Sequence, residues 1–341
     1  MRETTVAASI IIDMVGQLER HGVSASEACR RARLDPAVLA RPHDRVPGSA
    51  AERFWQVAVE LTGDPLLGLH LAEHYRTGAI NILGYVFLNC ATLADALERL
   101  GRFAVLMNDG LRVRIDREDE RAVVRFEAVE GLDNFLLRGG RQVMETMAAG
   151  VVLTIRRLGH SDFVPSQVWF RHAAAGDVAE YHRIFGTMVR FGMPEHRVAL
   201  RLSELDFPIP AADPSLLAVF ERHAVGRLDE LERMGTTSQR VLRLLSVRLT
   251  GTVPPVGAIA AELAMSGRQL QRVLQEEGSS YQALLDQSRR DLALAQLRVP
   301  GTTAAEVALL LGYSEAGAFT RAFRRWTGTT PGAYAAGAQP S

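Results

Sequence analysis

Lysine is missing altogether: the 341-residue chain has 39 basic residues, every one of them arginine, against 39 Asp and Glu. Without lysine the phosphate loop G-x-x-x-x-G-K-[ST] cannot be written, which excludes P-loop nucleotide chemistry. Any phosphate or base contact must use the planar, bidentate guanidinium. Cysteine is scarce as well. Cys29 and Cys90 stand far apart in the chain and supply neither a disulfide framework nor a CxxC pair for structural zinc. No GxSxG elbow occurs and neither cysteine stands beside a base, so no catalytic residue, metal or cofactor is expected. Long hydrophobic runs are absent too. The longest, from Gly78 to Ala91, is interrupted by Asn81 and Asn89 and falls short of the roughly 20 residues a membrane span needs. The amino-terminal apolar stretch carries Glu3 and Asp13 and has no small-residue cleavage pattern. The chain therefore reads as soluble and cytoplasmic, without a membrane partner.

What is present is an ordinary globular composition, 47% hydrophobic and 23% charged, at a length suited to two domains. Net charge is zero, but it is unevenly spread. From Thr236 onward 11 Arg face 7 Asp and Glu, whereas the chain before Thr236 carries 28 Arg against 32 Asp and Glu. A basic tail on an acidic body points to a polyanionic partner for the tail.

The hydrophobic period divides the chain in the same place. Up to about residue 110 it is mainly helical, with Glu52–Thr62 and Thr92–Val105 as clear amphipathic segments, the second opened by Thr92 as N-cap. The period then changes to alternation at 111–115 and 122–126, around the acidic turn 116–120, which predicts a hairpin. A long helix over 134–158 follows, then strands near 167–171, 188–191 and 198–202. This predicts an α+β domain over residues 1–210, followed by a helical linker over 211–235, marked by Pro208, Pro210 and Pro214.

Residues 236–341 read as an all-α unit of short helices. Helix 256–264, a turn at Met265–Ser266 and helix 267–277 form one helix-turn-helix, with Ser266 and Gln269 as a capping box and Leu270, Val273 and Leu274 facing inward. The pattern repeats after a long helix at 281–298. Thr303 and Glu306 cap helix 304–311, Gly312–Tyr313 makes the turn, and Ser314 opens 315–326, which buries Phe319, Ala322, Phe323 and Trp326. Two such units joined by one helix are a far stronger signal than either alone.

The outward faces carry the chemistry. Helix 267–277 exposes Arg268, Gln271, Arg272 and Gln275, and Arg and Gln are the side chains that pair bidentately with guanine and adenine edges. Helix 315–326 exposes Thr320, Arg321, Arg324 and Arg325. Arg268, Gln271, Arg272, Thr320 and Arg321 are thus the expected base contacts. Arg324 and Arg325, with Arg289 and Arg290 of the joining helix, are the expected phosphate contacts.

The stretches IAAELAMSGRQLQRVLQEEGSSYQALLDQSRRDLALAQL and VALLLGYSEAGAFTRAFRRWTGTTPGAY resemble the DNA-binding domain of the AraC/XylS family of bacterial transcription regulators. The resemblance implies two helices in successive major-groove segments of double-stranded DNA, about 34 Å apart. It places base-reading positions on Arg268, Gln271 and Arg272, and on Ala316, Gly317, Thr320 and Arg321. DPLLGLHLAE, GYVFLNCATLADALERL, VWFRH…YHRIFG and FPIPAADPSLL are similar to the effector domain of the subgroup that includes ornithine-utilisation regulators. This implies a small-molecule effector, a homodimer and an effect on RNA polymerase.

Two rival readings remain. His70, Glu73 and His74 spell the inverted zinc-protease motif HxxEH, which makes a metal-dependent hydrolase the alternative from another class, although no third ligand is identifiable. The other is a constitutive DNA binder whose front domain only oligomerises. For the effector pocket, the polar and aromatic residues of the front domain give Asn81, Tyr85, Asn89, Met144, Met147, Trp169, His172 and Tyr181 as candidates.

Overall fold

A computed structural model describes residues 3–75, 82–129, 132–249, 251–297, 302–313 and 315–337. At the amino end, strand β1 (Thr5–Ala7) pairs antiparallel with β2 (Arg45–Pro47). With the ribbon come α1 (Ala8–Arg20), α2 (Ala25–Ala32), α3 (Gly48–Thr62), α4 (Leu67–His74), α5 (Ile82–Leu88) and α6 (Leu93–Met107), of which α1, α3 and α6 pack against it. The start of α6 is fixed by local chemistry. Thr92 Oγ1 accepts the Asp95 amide at 3.2 Å, and Asp95 Oδ2 accepts the Thr92 amide at 3.1 Å. Such a reciprocal cap contributes about 1 kcal/mol.

The change of period at Leu111 is a change of structure. Strands β3 (Leu111–Glu118) and β4 (Arg121–Ala128) pair antiparallel from Leu111↔Ala128 to Glu118↔Arg121. The turn between them includes Asp119, which takes a φ of 51°, a conformation Asp tolerates. The strands reach further into the acidic segment than alternation predicts, to Glu118 rather than Ile115. Arg125 pairs across them with Asp116 and Glu118. The expected single helix over 134–158 is broken: α7 (Leu136–Gly139) ends at the Gly139–Gly140 pair and α8 (Arg141–Arg157) begins after it. Then follow β5 (Gln167–Trp169), α9 (Val178–Phe185), β6 (Val189–Arg190), β7 (His196–Arg201) and α10 (Pro214–Met234). The five-stranded sheet has the order β3-β4-β7-β5-β6, antiparallel except for β5 and β6. Helix α8 packs on β4, β7 and α4, and its buried row (Met144, Ala148, Val151, Val152, Ile155) joins the core.

The chain separates into two compact units, 1–229 and 230–341, with the boundary inside α10. Within the first unit, Glu221 of α10 pairs with Arg99 and Arg102 of α6 at 3.2 and 3.4 Å. Among the described residues the secondary structure of the second unit is all helical; after the end of α10 come α11 (Thr237–Arg248), α12 (Val256–Glu262), α13 (Gly267–Glu276), α14 (Tyr281–Gln296), α15 (Ala304–Leu310), α16 (Ala316–Thr327) and α17 (Pro331–Gly337). Its core is built from the inward rows, with Leu270, Leu274, Phe319 and Phe323 fully buried. An α+β unit followed by an all-α unit is the architecture the periodicity predicts. Among the described residues no helix is long and apolar enough to cross a membrane.

Candidate DNA interface and effector cavity

Two backbone turns define the recognition helices. Met265 N bonds Ala260 O and Tyr313 N bonds Ala308 O, each at 2.9 Å and at the same offset along the chain. The left-handed residue of the first turn is Ala264 (φ 56°) and of the second Gly312 (φ 72°), again at that offset. Past the turns the offset grows by one, because Leu270 and Leu274 of α13 correspond to Phe319 and Phe323 of α16. The second turn is thus one residue longer. In this register Arg268 corresponds to Gly317, Gln271 to Thr320, Arg272 to Arg321 and Gln275 to Arg324.

The caps differ as well. Ser266 Oγ accepts the Gln269 amide at 3.2 Å, a one-sided cap, whereas Thr303 and Glu306 form the full reciprocal box. The residue flanking α16 is Glu315, without a side-chain cap; Ser314, expected in that role, lies outside the described residues. Glu277, just past α13, accepts the Thr237 and Ser238 amides at 2.8 Å and so caps α11. Partial burial opposes its ionisation, but those bonds outweigh it and hold the carboxyl below its usual range.

On α13, Arg268, Gln271 and Arg272 are exposed, and on α16 so are Arg321, Arg324 and Arg325. Arg268, Arg321 and Arg324 pair with no carboxylate among the described residues. Arg272 lies 3.7 Å from Glu276, and Arg325 lies 3.3 Å from Asp286 of α14. Thr320 is half-buried and donates its hydroxyl to Ala316 O at 2.9 Å, leaving only oxygen lone pairs to offer a base. Arg290 lies 3.6 Å from Asp291.

Arg289 is a correction. Expected against a phosphate, it is only 9% exposed. Its Nε donates to Leu311 O at 3.0 Å and its Nη2 to Gly312 O at 3.4 Å, with the guanidinium 4.3 Å over the Tyr313 ring. Those carbonyls belong to the turn between α15 and α16, where helix-end acceptors have no intrahelical donor. Arg289 therefore clamps the joining helix to the second recognition unit.

In the first unit the HxxEH segment is used for ion pairing. His70 Nδ1 meets Asp64 Oδ2 at 2.5 Å and its Nε2 meets Glu180 Oε1 at 3.0 Å, while Glu73 pairs with Arg183 at 2.6 Å. Burial disfavours the imidazolium, but the two carboxylates prevail and raise the His70 pKa above its usual 6.5. Among the described residues no group of three His, Cys, Asp or Glu is placed to hold a metal ion.

A cavity of about 90 Å³ opens between α6 and α8, with an almost wholly apolar wall. Leu93, Leu97 and Leu100 line one side, and Met147, Val151 and Ile155 the other. Of the residues expected to contact effector, Met147 alone is in this wall. Asn81 lies outside the described residues. Tyr85 is 44% exposed and stacks on Phe220 at 5.2 Å; Asn89 Nδ2 donates to Tyr85 O at 2.8 Å. Met144 is in the core, and Trp169 lies under the Arg197 guanidinium at 3.3 Å. Tyr181 donates to the buried Glu145, with His172 3.7 Å from the same carboxylate. Side-chain type points to those candidates, whereas the wall is mostly aliphatic, with Tyr75 and Phe87 as its aromatic members. The α6 row reads from sequence only as core, and Gly150, in the middle of α8, lines the cavity as well.

Residues 22–209 match the family model described as the arabinose-binding domain of AraC transcription regulator, N-term, and residues 259–337 match a helix-turn-helix domain model. The ornithine utilization regulator of Pseudomonas aeruginosa is 30% identical over 331 residues, 96% of this chain and 94% of that protein. The HTH-type transcriptional regulator VirS of Mycobacterium tuberculosis is 33% identical over 280 residues, 80% of this chain and 79% of its own. The solved structure of transcriptional regulator CdpR from Pseudomonas aeruginosa is 24% identical, covering 91% of this chain and 96% of its own, with a TM-score of 0.42. Both domain models, in this order along one chain, assign the protein to the AraC family of transcription regulators, as an effector-binding domain followed by a helix-turn-helix DNA-binding domain.

Proposed function

We propose that this regulator reads two successive major-groove segments, with α13 as the principal base reader and α16 chiefly as a backbone anchor. The observation that carries this reading is the position-by-position equivalence of the two helices. It sets Arg268, Gln271 and Arg272 opposite Gly317, Thr320 and Arg321, so the first helix has three long polar side chains where the second has one. Arg268, Gln271, Arg272 and Arg321, with a weaker part for Thr320, contact base edges; Arg324, Arg325 and Arg290 contact phosphates. The chain acts in the cytoplasm as a homodimer. Effector bound in the front domain shifts its affinity for promoter DNA, and with it transcription by RNA polymerase. An ion-paired His70 and Glu73 favour this reading over hydrolase chemistry.

The test is an anisotropy titration on duplex DNA carrying the promoter beside its own gene, in rising salt. Arg272→Ala should cost about 1–3 kcal/mol on that sequence and relax base preference at one position. Arg324→Ala should weaken all sequences alike and flatten the salt slope by about one unit. Identical behaviour of the two variants refutes the division into base and phosphate contacts.

A further inference from the structure

The cavity between α6 and α8 has a wall chemistry that restricts what can enter it. Among the described residues no Asp, Glu, Arg or His side chain lines it. Its hydroxyls are those of Tyr75, Thr146 and Thr154, and Thr146 Oγ1 is already engaged with Gly68 O and Gln142 O at 2.8 and 2.7 Å. An amino acid would bring a carboxylate and an ammonium into a space with no ionic partner, and a sugar would bring several hydroxyls with few groups to receive them. Burying unpaired polar groups in this way is strongly unfavourable. An apolar group meets no such penalty, and its transfer from water is favourable. The volume, about 90 Å³, far exceeds what one water needs.

Gly150 supplies an independent observation. It lies in the interior of α8, where glycine weakens a helix. Its φ is not positive, so the backbone does not require glycine. A Cβ built there meets nothing within 4 Å, so close packing does not require it either. Yet Gly150 lines the cavity, one turn from Met147 and Thr154 on the same helix face. A side chain at this position would occupy the space that the missing one leaves open.

We propose that this cavity binds an uncharged, lipophilic small molecule, an alkyl chain or a single aromatic ring, and that Gly150 keeps the space free for it. That this molecule is the regulator's effector rests on the reading given under Proposed function.

The test compares two probes of equal chain length on the full-length protein by calorimetry: 1-hexanol, which is neutral, and 6-aminohexanoate, which is zwitterionic. The expected result is saturable binding of 1-hexanol and none of 6-aminohexanoate. Gly150→Leu should weaken 1-hexanol binding at least tenfold while leaving the melting temperature unchanged or higher. Should the leucine variant fail to fold, Gly150→Ala, whose Cβ enters open space, should still fold and weaken binding severalfold. Failure of 1-hexanol to saturate, undiminished binding in both folded variants, or equal binding of 6-aminohexanoate overturns the proposal. The same preparations are titrated with duplex DNA. DNA binding without hexanol binding overturns the cavity assignment alone, and hexanol binding without DNA binding supports the cavity while overturning the regulatory reading.

Discussion

Replacing Arg289 with methionine distinguishes a clamp from a phosphate contact. The substitution keeps most of the aliphatic stem and removes the guanidinium. The bond to Leu311 O at 3.0 Å, from a charged donor, is of the order of 1.5–3 kcal/mol. The 3.4 Å bond to Gly312 O adds little, and the contact with the Tyr313 ring contributes about 0.5–1 kcal/mol. Loss of a buried charge also removes its desolvation cost, which offsets part of this. A net destabilisation of about 2 kcal/mol follows, or about thirtyfold in the opening equilibrium at 1.4 kcal/mol per tenfold. Amide hydrogen exchange in α16 should speed up by that factor wherever exchange requires the second unit to open. The slope of log affinity against log salt on non-specific duplex DNA should stay at the wild-type value. A phosphate-bound Arg289 gives the opposite pattern: unchanged exchange and a slope shallower by about 0.9. That pattern would refute the clamp.

The two turns respond unequally to exchange of their left-handed residues. Gly312→Ala should destabilise by about 1–2 kcal/mol in urea unfolding, from the φ of 72° and a Cβ only 3.1 Å from Val253 Cγ2, and a neutral result contradicts it. Ala264→Gly relieves strain at φ 56° but loosens the unfolded chain, leaving stability within about 0.5 kcal/mol of wild type. His70 has its pKa raised on folding, so its ion pairs with Asp64 and Glu180 stabilise the first unit fully below about pH 6.5 and less as pH rises through the folded pKa. An NMR titration should place that midpoint above 6.5, and His70→Ala should remove this pH dependence. Glu277 has the opposite sign: its pKa is lowered on folding, so its cap on α11 is present at neutral pH and is lost as pH falls below about 4.5 through the folded pKa. Glu277→Ala should cost about 1 kcal/mol at pH 7 and progressively less as pH falls below about 4.5 through the folded pKa, read by thermal unfolding.

Much of what depends on neighbours along the chain was legible before the structure, although the break of the 134–158 helix at Gly139–Gly140 was not. The rows Leu270–Leu274 and Phe319–Phe323 show inward and outward faces because a helix brings i, i+3 and i+4 together whatever surrounds it. The caps at Thr92 and Thr303 and the hairpin at 111–128 are likewise local, so both recognition units and the α+β front domain could be read from spacing alone. Contacts that close long loops could not. Arg289 reads as an exposed charge on an amphipathic helix until the distant turn at Leu311 and Gly312 folds over it. His70 and Glu73 read as a metal motif until Glu180 and Arg183, from a helix far along the chain, neutralise them. Leu93, Leu97 and Leu100 show the periodicity of a packed core, and periodicity is the same whether a row meets another helix or faces a gap. Only the placement of α6 and α8 decided that here they enclose a space, and that Gly150 opens onto it.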